Sequence, residues 1–172
     1  MTSNLVLTVI GDDKPGLVEA LSKAIADNSG NWLESSMAQL AGKFAGILRV
    51  SVAEANADSL ISDLNGLSVS GHLKVVVEKA AESVEEDRSQ TAELSLVGND
   101  RPGIIREISK TLSLMSVNVE QLTTECEPAP MSSDLLFKAK AILNIPAAIQ
   151  LEDLQSKLEQ LADDLIVEIE LS

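Results

Sequence analysis

The sequence predicts an α+β protein built from two βαββαβ units in tandem, each with an antiparallel sheet and two helices on one face. Three observations lead to this prediction. The chain repeats itself at a fixed offset of 87 residues, so that "GDDKPGLVEAL" at 11–21 corresponds to "GNDRPGIIREI" at 98–108. Strand-like and helix-like apolar periods follow in the same order in both halves. A length of 172 residues also suits two small domains.

The elements of the first half follow from apolar spacing. Residues 4–10, "NLVLTVI", are apolar on both faces, which is typical of a strand covered on two sides. Helical spacing follows from Leu17 to Asn28, and "NSGN" ends that helix, with Gly30 available for the left-handed position. The remaining patterns indicate a hairpin of strands 31–40 and 43–53, a second helix at 60–67 and a closing strand at 72–79.

The second half repeats this order, and each half therefore has the ferredoxin-like arrangement of a split βαβ unit. The predicted elements are a strand at 92–97, a helix at 104–115, a strand from Asn118 to about Glu125, a strand at 135–143, a helix at 151–161 and a strand at 165–171. Residues 80–91 are polar and without period, so they are predicted to link domains 1–79 and 92–172. We expect the two domains to pack on each other as a pseudo-symmetric pair.

Composition excludes several classes of protein. The chain carries 27 acidic and 13 basic side chains, a net charge of −14, and such a surface repels nucleic acid and anionic membranes. A single cysteine, Cys126, excludes an intrachain disulfide framework. The N-terminus lacks signal-peptide features and no apolar run approaches the length of a membrane span, so we expect a soluble cytoplasmic protein.

The repeated turn after the first strand of each half is the main candidate for a binding site. Matching positions hold Asp13, Pro15 and Gly16 in the first half, and Asp100, Pro102 and Gly103 in the second. The aspartates can cap the following helix, the prolines suit its first positions, and the glycines leave room for a backbone or a ligand. A helix N-terminus attracts a carboxylate, and an aspartate accepts hydrogen bonds from an ammonium group. The turn therefore either binds an α-amino acid or simply caps the helix.

Two asparagines share the same 87-residue offset. Asn31 and Asn118 are each predicted at the start of a second strand, next to the first helix, where an amide could reach the same ligand. They could equally serve the local turn.

Catalytic and metal-binding interpretations find little support. The sole histidine, His72, has no ligand pattern around it, and the acidic neighbours Glu125 and Glu127 should disfavour a thiolate at Cys126. The acidic pairs 12–13 and 163–164 are typical of solvated surface. We expect neither enzymatic activity nor a cofactor or metal.

The order of elements, the "D-[KR]-P-G-[LI]" turn and the asparagine that opens the second strand together resemble the ACT domain, a small regulatory fold that commonly binds amino acids. The stretch "APMSSDLLFKAKAILNIP" at 129–146 is similar to the second-domain hairpin of the glycine cleavage system transcriptional repressor family. The resemblance implies a tandem regulator of this type. Because the acidic chain offers no basic recognition helix, we expect it to act through a partner protein and not on DNA. Because small sheets leave edges that must be paired or covered, and because ACT-like units are expected to pair, we also expect a homodimer.

The resemblance also implies positions for the ligand, which we expect to be glycine or serine. These positions are Asp13, Gly16, Leu17 and Asn31 in the first unit, and Asp100, Gly103, Ile104 and Asn118 in the second. Asp12 stands where the second unit has Asn99, and its added negative charge should discourage a carboxylate ligand. The alternative is a ligand-free module that only mediates assembly, since fold does not fix function.

Overall fold

The computed structural model describes residues 1–71, 73–80 and 89–172. The chain divides into two compact units, Met1–Val84 and Glu85–Ser172, and each unit is considered by itself. His72 and residues 81–88, which make up most of the predicted linker 80–91, lie outside the described residues.

The first unit has the predicted βαββαβ order. Its elements are β1 (Thr2–Asp12), α1 (Leu17–Asp27), β2 (Asn31–Leu40), β3 (Lys43–Ala53), α2 (Glu54–Val69) and β4 (Lys74–Lys79). The strands form one antiparallel sheet in the order β2-β3-β1-β4.

The second unit repeats the arrangement. Its elements are β5 (Ser89–Asn99), α3 (Ile104–Leu114), β6 (Asn118–Pro128), β7 (Leu135–Pro146), α4 (Leu151–Glu159) and β8 (Ile166–Leu171). The strands again form an antiparallel sheet, in the order β6-β7-β5-β8. The predicted α+β fold with two ferredoxin-like units is confirmed.

Several strands are longer than the apolar patterns indicated. β5 begins at Ser89, not at residue 92, because Ser89, Gln90 and Thr91 continue the ladder with β7. β6 likewise extends to Pro128, beyond the predicted end near Glu125. Backbone pairing extends through these polar residues because it does not depend on the side chains.

The core of each unit lies between the sheet and its two helices. On β1, Leu5, Leu7 and Val9 are buried among the residues of the two helices, whereas Ile10 on the opposite face is 44% exposed. Within the first unit, the two helices cover only one face of the strand. The prediction that both faces are covered would require a contact from outside the unit, and it stays a prediction.

The end of α1 is a Schellman motif with an unexpected residue in the left-handed position. Ser29 has φ 57°, and the amides of Ser29 and Gly30 donate to the carbonyls of Ala26 and Ile25 at 2.9 and 2.8 Å. Gly30, which the sequence predicted in the left-handed position, is the next residue of the motif, where a Cβ would lie 3.0 Å from Ile25 Cγ2 and from the Ile25 carbonyl oxygen. Ser116 repeats this conformation at the end of α3, with φ 58°.

We predict that Ser29→Gly stabilises the first unit. A residue with a side chain costs roughly 1–2 kcal/mol in the left-handed region, and replacing it with glycine removes this cost. Part of the resulting stabilisation is lost, because glycine has greater conformational entropy in the unfolded chain. The free energy of unfolding, measured with urea, should rise by about 0.5–1 kcal/mol.

Ser22→Gly is the matched control, because Ser22 lies inside α1 at a helical position. The same chemical change should there lower the free energy of unfolding by roughly 0.5 kcal/mol. Equal effects at both sites would contradict a conformational origin.

Candidate functional site

The turn between β1 and α1 ends in a left-handed backbone conformation that glycine adopts without strain. Gly16 has φ 93° and ψ 0°, and Gly103 has φ 87° and ψ 1°. These angles are those of the third residue of a type II turn, in which proline favours the second position. The sequence D-x-P-G therefore encodes a β-turn that leads directly into a helix.

This geometry corrects the predicted capping scheme. The glycines themselves are the N-cap residues, without a side-chain cap, and their carbonyls accept from the amides of Ala20 at 2.9 Å and Glu107 at 3.1 Å. Pro15 and Pro102 thus precede the helix and do not occupy its first position. A Cβ built on either glycine meets no atom within 4 Å, so the glycines are required by conformation and not by a close neighbour.

A backbone hydrogen bond fixes where each turn lies. The Asp13 amide donates to the Gly42 carbonyl at 2.9 Å, and the Asp100 amide donates to the Leu135 carbonyl at the same distance. Gly42 lies in the connection between β2 and β3, and Leu135 is the first residue of β7, directly after the connection from β6. The start of each helix therefore lies beside the hairpin connection, at one end of its sheet.

The first turn has open space in front of the helix. One cavity of about 260 Å³ is lined by Lys14, Pro15, Gly16, Leu17 and Ala20. A second, of about 250 Å³, also reaches Asp13 and Phe44. The Leu17 side chain is buried in the core, as is that of Ile104 in the second unit, so these two residues can offer a ligand only their backbones.

The structure does not bring the predicted asparagines to the turns. Asn31 pairs with Ser51, which pairs with Asn4 near the beginning of β1. Asp13 follows the other end of that strand, nine residues further on, so about 30 Å of strand separates the two within one unit.

In the second unit, Asn118 is aligned through Asn144 with Thr91, again nine residues before Asp100. The expectation that each asparagine lies beside the turn of its own unit is therefore wrong. The connection of the β2–β3 hairpin, like that of β6–β7, lies beside the turn. The beginning of β2 or β6, a full strand length earlier, therefore lies at the opposite end of the sheet.

The charges at the first turn partly cancel. Asp12 forms an ion pair with Lys43, and the hydrogen bond from Lys43 lowers the pKa of the Asp12 carboxyl. The negative charge that was expected to discourage a carboxylate is thus opposed by a cation across the β1–β3 pair.

The second turn has no aspartate at the matching position, but a carboxylate reaches it from elsewhere. The backbone amide of Asn99 donates to Asp164 Oδ2 at 2.6 Å. Arg101 forms an ion pair with Glu107 and donates to the Leu161 carbonyl at 3.3 Å, which ties the turn to the end of α4. The two turns therefore differ in side-chain chemistry although their backbones match.

Cys126 lies near Asp100, which the sequence did not indicate. The thiol is on the exposed edge strand β6, and partial desolvation, followed by the charge of Asp100, raises the pKa of Cys126. The predicted direction is confirmed, but the cause is not the neighbouring glutamates. β6 and the β5–α3 turn come close because both flank β7 in the sheet, and no local sequence pattern predicts this.

A further cavity, of about 270 Å³, lies on the open face of the second sheet. It is lined by Glu93, Leu94, Ser95, Gln121, Thr123, Lys140, Ala141 and Ile142.

Other candidate chemistry finds no support in the part of the chain that is described. Among residues 1–71, 73–80 and 89–172, no three histidine, cysteine or acidic side chains are grouped to hold a metal ion. Over the same ranges, no helix combines the length and hydropathy that a membrane crossing requires. His72, the weakly supported catalytic candidate, is outside these ranges.

Comparisons with known proteins agree with the duplicated fold. Family models described as the ACT domain match residues 3–78 and 86–167. The chain is 38% identical over 56 residues to a UPF0237 protein of Methanocaldococcus jannaschii, a match covering 33% of the chain and 62% of that relative. A UPF0237 protein of Methanococcus maripaludis is 36% identical over 62 residues, covering 36% of the chain and 67% of that relative.

Two solved structures match the whole chain. A crystal structure of an unknown protein from Galdieria sulphuraria has a TM-score of 0.86 and 26% identity, covering 100% of this chain and 99% of that one. A protein named as a candidate glycine cleavage system transcriptional repressor has a TM-score of 0.70 and 15% identity, with the same coverage. At 15% identity the second likeness shows the fold alone.

We predict that Gly16→Ala and Gly103→Ala each destabilise their unit by about 1 kcal/mol, because alanine in the left-handed region is strained even where space is free. Gly66→Ala is the control, since Gly66 lies inside α2 and a Cβ there also meets nothing within 4 Å. That change should stabilise by roughly 0.5–1 kcal/mol in the same urea titration. Destabilisation at all three sites would contradict this account of the turn.

A second prediction concerns the thiol beside the second turn. Asp100→Asn removes a charge that raises the pKa of Cys126, so a larger thiolate fraction should be present at any pH below that pKa. The reaction of Cys126 with a disulfide reagent near about pH 8 should accelerate. Asp58→Asn, a change at an exposed position of α2, should leave the rate unchanged. A rate that stays constant in Asp100→Asn would separate the thiol from this carboxylate.

Proposed function

Because the chain belongs to the ACT-domain family and carries two such domains in tandem, we propose that it is a non-enzymatic regulatory protein of the glycine cleavage repressor type. It binds a small amino acid, glycine or serine, and acts through a partner protein. The observation that carries this proposal is the repeated turn, which places an open helix N-terminus beside an aspartate in both units.

The chemistry of the turn suits an α-amino acid. The first amides of α1 and α3 have no partner inside their helices, and those that the turn leaves free can donate to a carboxylate at the positive end of the helix dipole. In the second unit the Ile104 amide already donates to the Arg101 carbonyl at 3.3 Å. Asp13 and Asp100 are exposed next to those amides and can accept from an ammonium group. A backbone site of this kind tolerates the side-chain differences between the two turns.

The size of the ligand limits its affinity. Glycine and serine have five to seven heavy atoms, and a ceiling of about 1.5 kcal/mol per atom limits their binding free energy to roughly −7.5 to −10.5 kcal/mol. A site that stays a few kcal/mol short of this ceiling binds at micromolar or higher concentration, which suits a sensor of metabolite concentration. A coupling of about 1–3 kcal/mol to the partner is sufficient for regulation.

In this proposal, Asn31 and Asn118 do not contact a ligand bound at the turn of their own unit. Within one unit the amide is about 30 Å of strand away from the turn, so a ligand that contacts both groups must take the amide from outside that unit. A homodimer offers such a second copy. Asn31 and Asn118 therefore serve as tests of assembly as well as of ligand binding.

The partner is a protein and not DNA. A net charge of −14 repels a phosphate backbone, so the regulatory effect is transmitted through the partner protein. The alternative function is a ligand-free assembly module. The exposed apolar residues on the open face of the first sheet favour that alternative, because such residues are typical of contact surfaces.

We predict saturable binding of glycine or serine in a calorimetric panel of amino acids. Asp13→Ala and Asp100→Ala should each weaken binding at their own site roughly 10- to 100-fold, since a hydrogen bond to a charged group contributes about 1.5–3 kcal/mol. Asp58→Ala, a charge-matched change on α2, should leave affinity unchanged.

Different failures of this experiment have different meanings. Silence of the wild-type protein across the panel would remove the sensor and leave the assembly module. Binding that neither aspartate variant weakens would place the ligand away from the turns. A loss of affinity in Asn31→Ala or Asn118→Ala would support an amide supplied from outside the unit.

A further inference from the structure

The open face of the first sheet is apolar at its centre. Cross-strand pairing places Ile47 beside Thr8, and Thr8 beside Val76, on the side away from the helices. The Ile47, Val76 and Ile10 side chains are 55%, 46% and 44% exposed. We define the apolar face by the residues that point to this side in the central rows of the sheet: Val6, Thr8, Ile10, Ser36, Ala38, Ala45, Ile47 and Val76.

The second unit shows that this apolar character is not a requirement of the fold. Ser95 pairs with Lys140 and Glu168, just as Thr8 pairs with Ile47 and Val76. The duplicated scaffold therefore accepts a lysine and a glutamate at the two positions where the first unit exposes isoleucine and valine. Exposed apolar side chains that the scaffold does not need indicate a contact surface.

The open faces of the two sheets also differ in net charge. The charged residues that share the open side of the first sheet are balanced, with three cations and three carboxylates: Lys43, Arg49, Lys74, Asp12, Glu34 and Glu78. The matching rows of the second sheet hold two lysines and five glutamates: Lys138, Lys140, Glu93, Glu125, Glu127, Glu168 and Glu170. The first face is thus locally neutral in a chain of net charge −14.

We propose that the apolar face packs against the same face of a second copy of this chain. Two acidic chains repel each other wherever their surfaces share the net charge, and the neutral face is a place where they can meet without that cost. Four of its six rim charges are already paired within the sheet, Asp12 with Lys43 and Glu34 with Arg49, so a copy of the face meets little net charge. Face-to-face packing of sheets is a common way to bury such residues.

The dimensions of the face set the strength of the contact. Four strands about 4.8 Å apart and four rows of alternate residues along them cover roughly 500 Å² on each copy. Two copies would bury about 1,000 Å², which is at the lower limit for a specific interface. The dimer is therefore reversible and dependent on concentration. The contact concerns assembly alone and does not require a ligand at the turns.

The test uses the residues that the second unit carries. Ile47→Lys and, separately, Val76→Glu place the side chains of Lys140 and Glu168 in the matching positions of the first sheet, where the duplicated scaffold accommodates them. Sedimentation equilibrium should give a dimer for the wild-type chain and a dissociation constant raised on the order of a hundredfold in each variant, because charges at the centre of the contact are desolvated without partners. Circular dichroism establishes that the variants are folded.

Two further samples identify the occupant of the face. Ile166→Lys changes an apolar residue that is 64% exposed on the open face of the second sheet, and it should leave the dimer intact. A mixture of Ile47→Lys with Ile47→Glu should regain association, because in a self-packed face each new charge meets the opposite one.

Each contrary result overturns the proposal. A wild-type chain that remains monomeric, or folded Ile47→Lys and Val76→Glu variants that dimerise as the wild type does, would exclude this face as the dimer contact. Dissociation in both variants without recovery in the mixture would show that something other than the same face covers it. None of these outcomes depends on amino-acid binding, so the ligand proposal stands or fails separately.

Discussion

The antiparallel pairing of β1 with both β3 and β4 is the constraint on which the rest of each unit depends. It places the central strand between two partners, buries Leu5, Leu7 and Val9 against the helices and turns the alternate residues outward. It also sends the end of β1 to the same edge of the sheet as the β2–β3 connection, where the Asp13 amide meets the Gly42 carbonyl. The position of the candidate site follows from this register, because the helix can begin only where the strand ends.

The site itself is mostly backbone. A type II turn closed by a left-handed glycine aims the first amides of the helix outward, while Leu17 and Ile104 anchor the helix in the core. The surrounding side chains then differ between the units, with a Lys43 ion pair at one turn and Asp164 and Arg101 at the other. A site built in this way keeps its geometry after duplication while its electrostatic surroundings change, because hydrogen bonds of the backbone do not depend on the identity of exposed residues.

The two open faces diverged more than the two cores. Both cores consist of leucine, isoleucine, valine and alanine, together with Phe137 in the second unit. Their packing restricts substitution, because interiors are close-packed and respond to changes of a single methylene. The open faces carry no such restriction, and there one unit has isoleucine and valine where the other has lysine and glutamate. Regulatory modules that share a scaffold can thereby take different contacts without a change of fold.

The sequence by itself determined the duplication, the order of the twelve helices and strands in the described chain, and the place of the D-x-P-G turns, because these follow from apolar period and from the backbone preferences of proline and glycine. It failed where the outcome depended on non-local pairing. Asn31 and Asn118 were expected beside the turns, but strand register places them at the far ends of the sheets. A local failure concerned the end of α1, where Ser29 and not Gly30 took the left-handed position, because the helix ends one residue earlier than the pattern indicated; Ser116 repeats this in the second unit, where Val117 replaces the glycine. The neighbourhood of Cys126 and Asp100, the carboxylate that Asp164 brings to Asn99 and the neutrality of the first open face were decided only by the tertiary structure, because residues distant in sequence become neighbours only once the strands have chosen their partners.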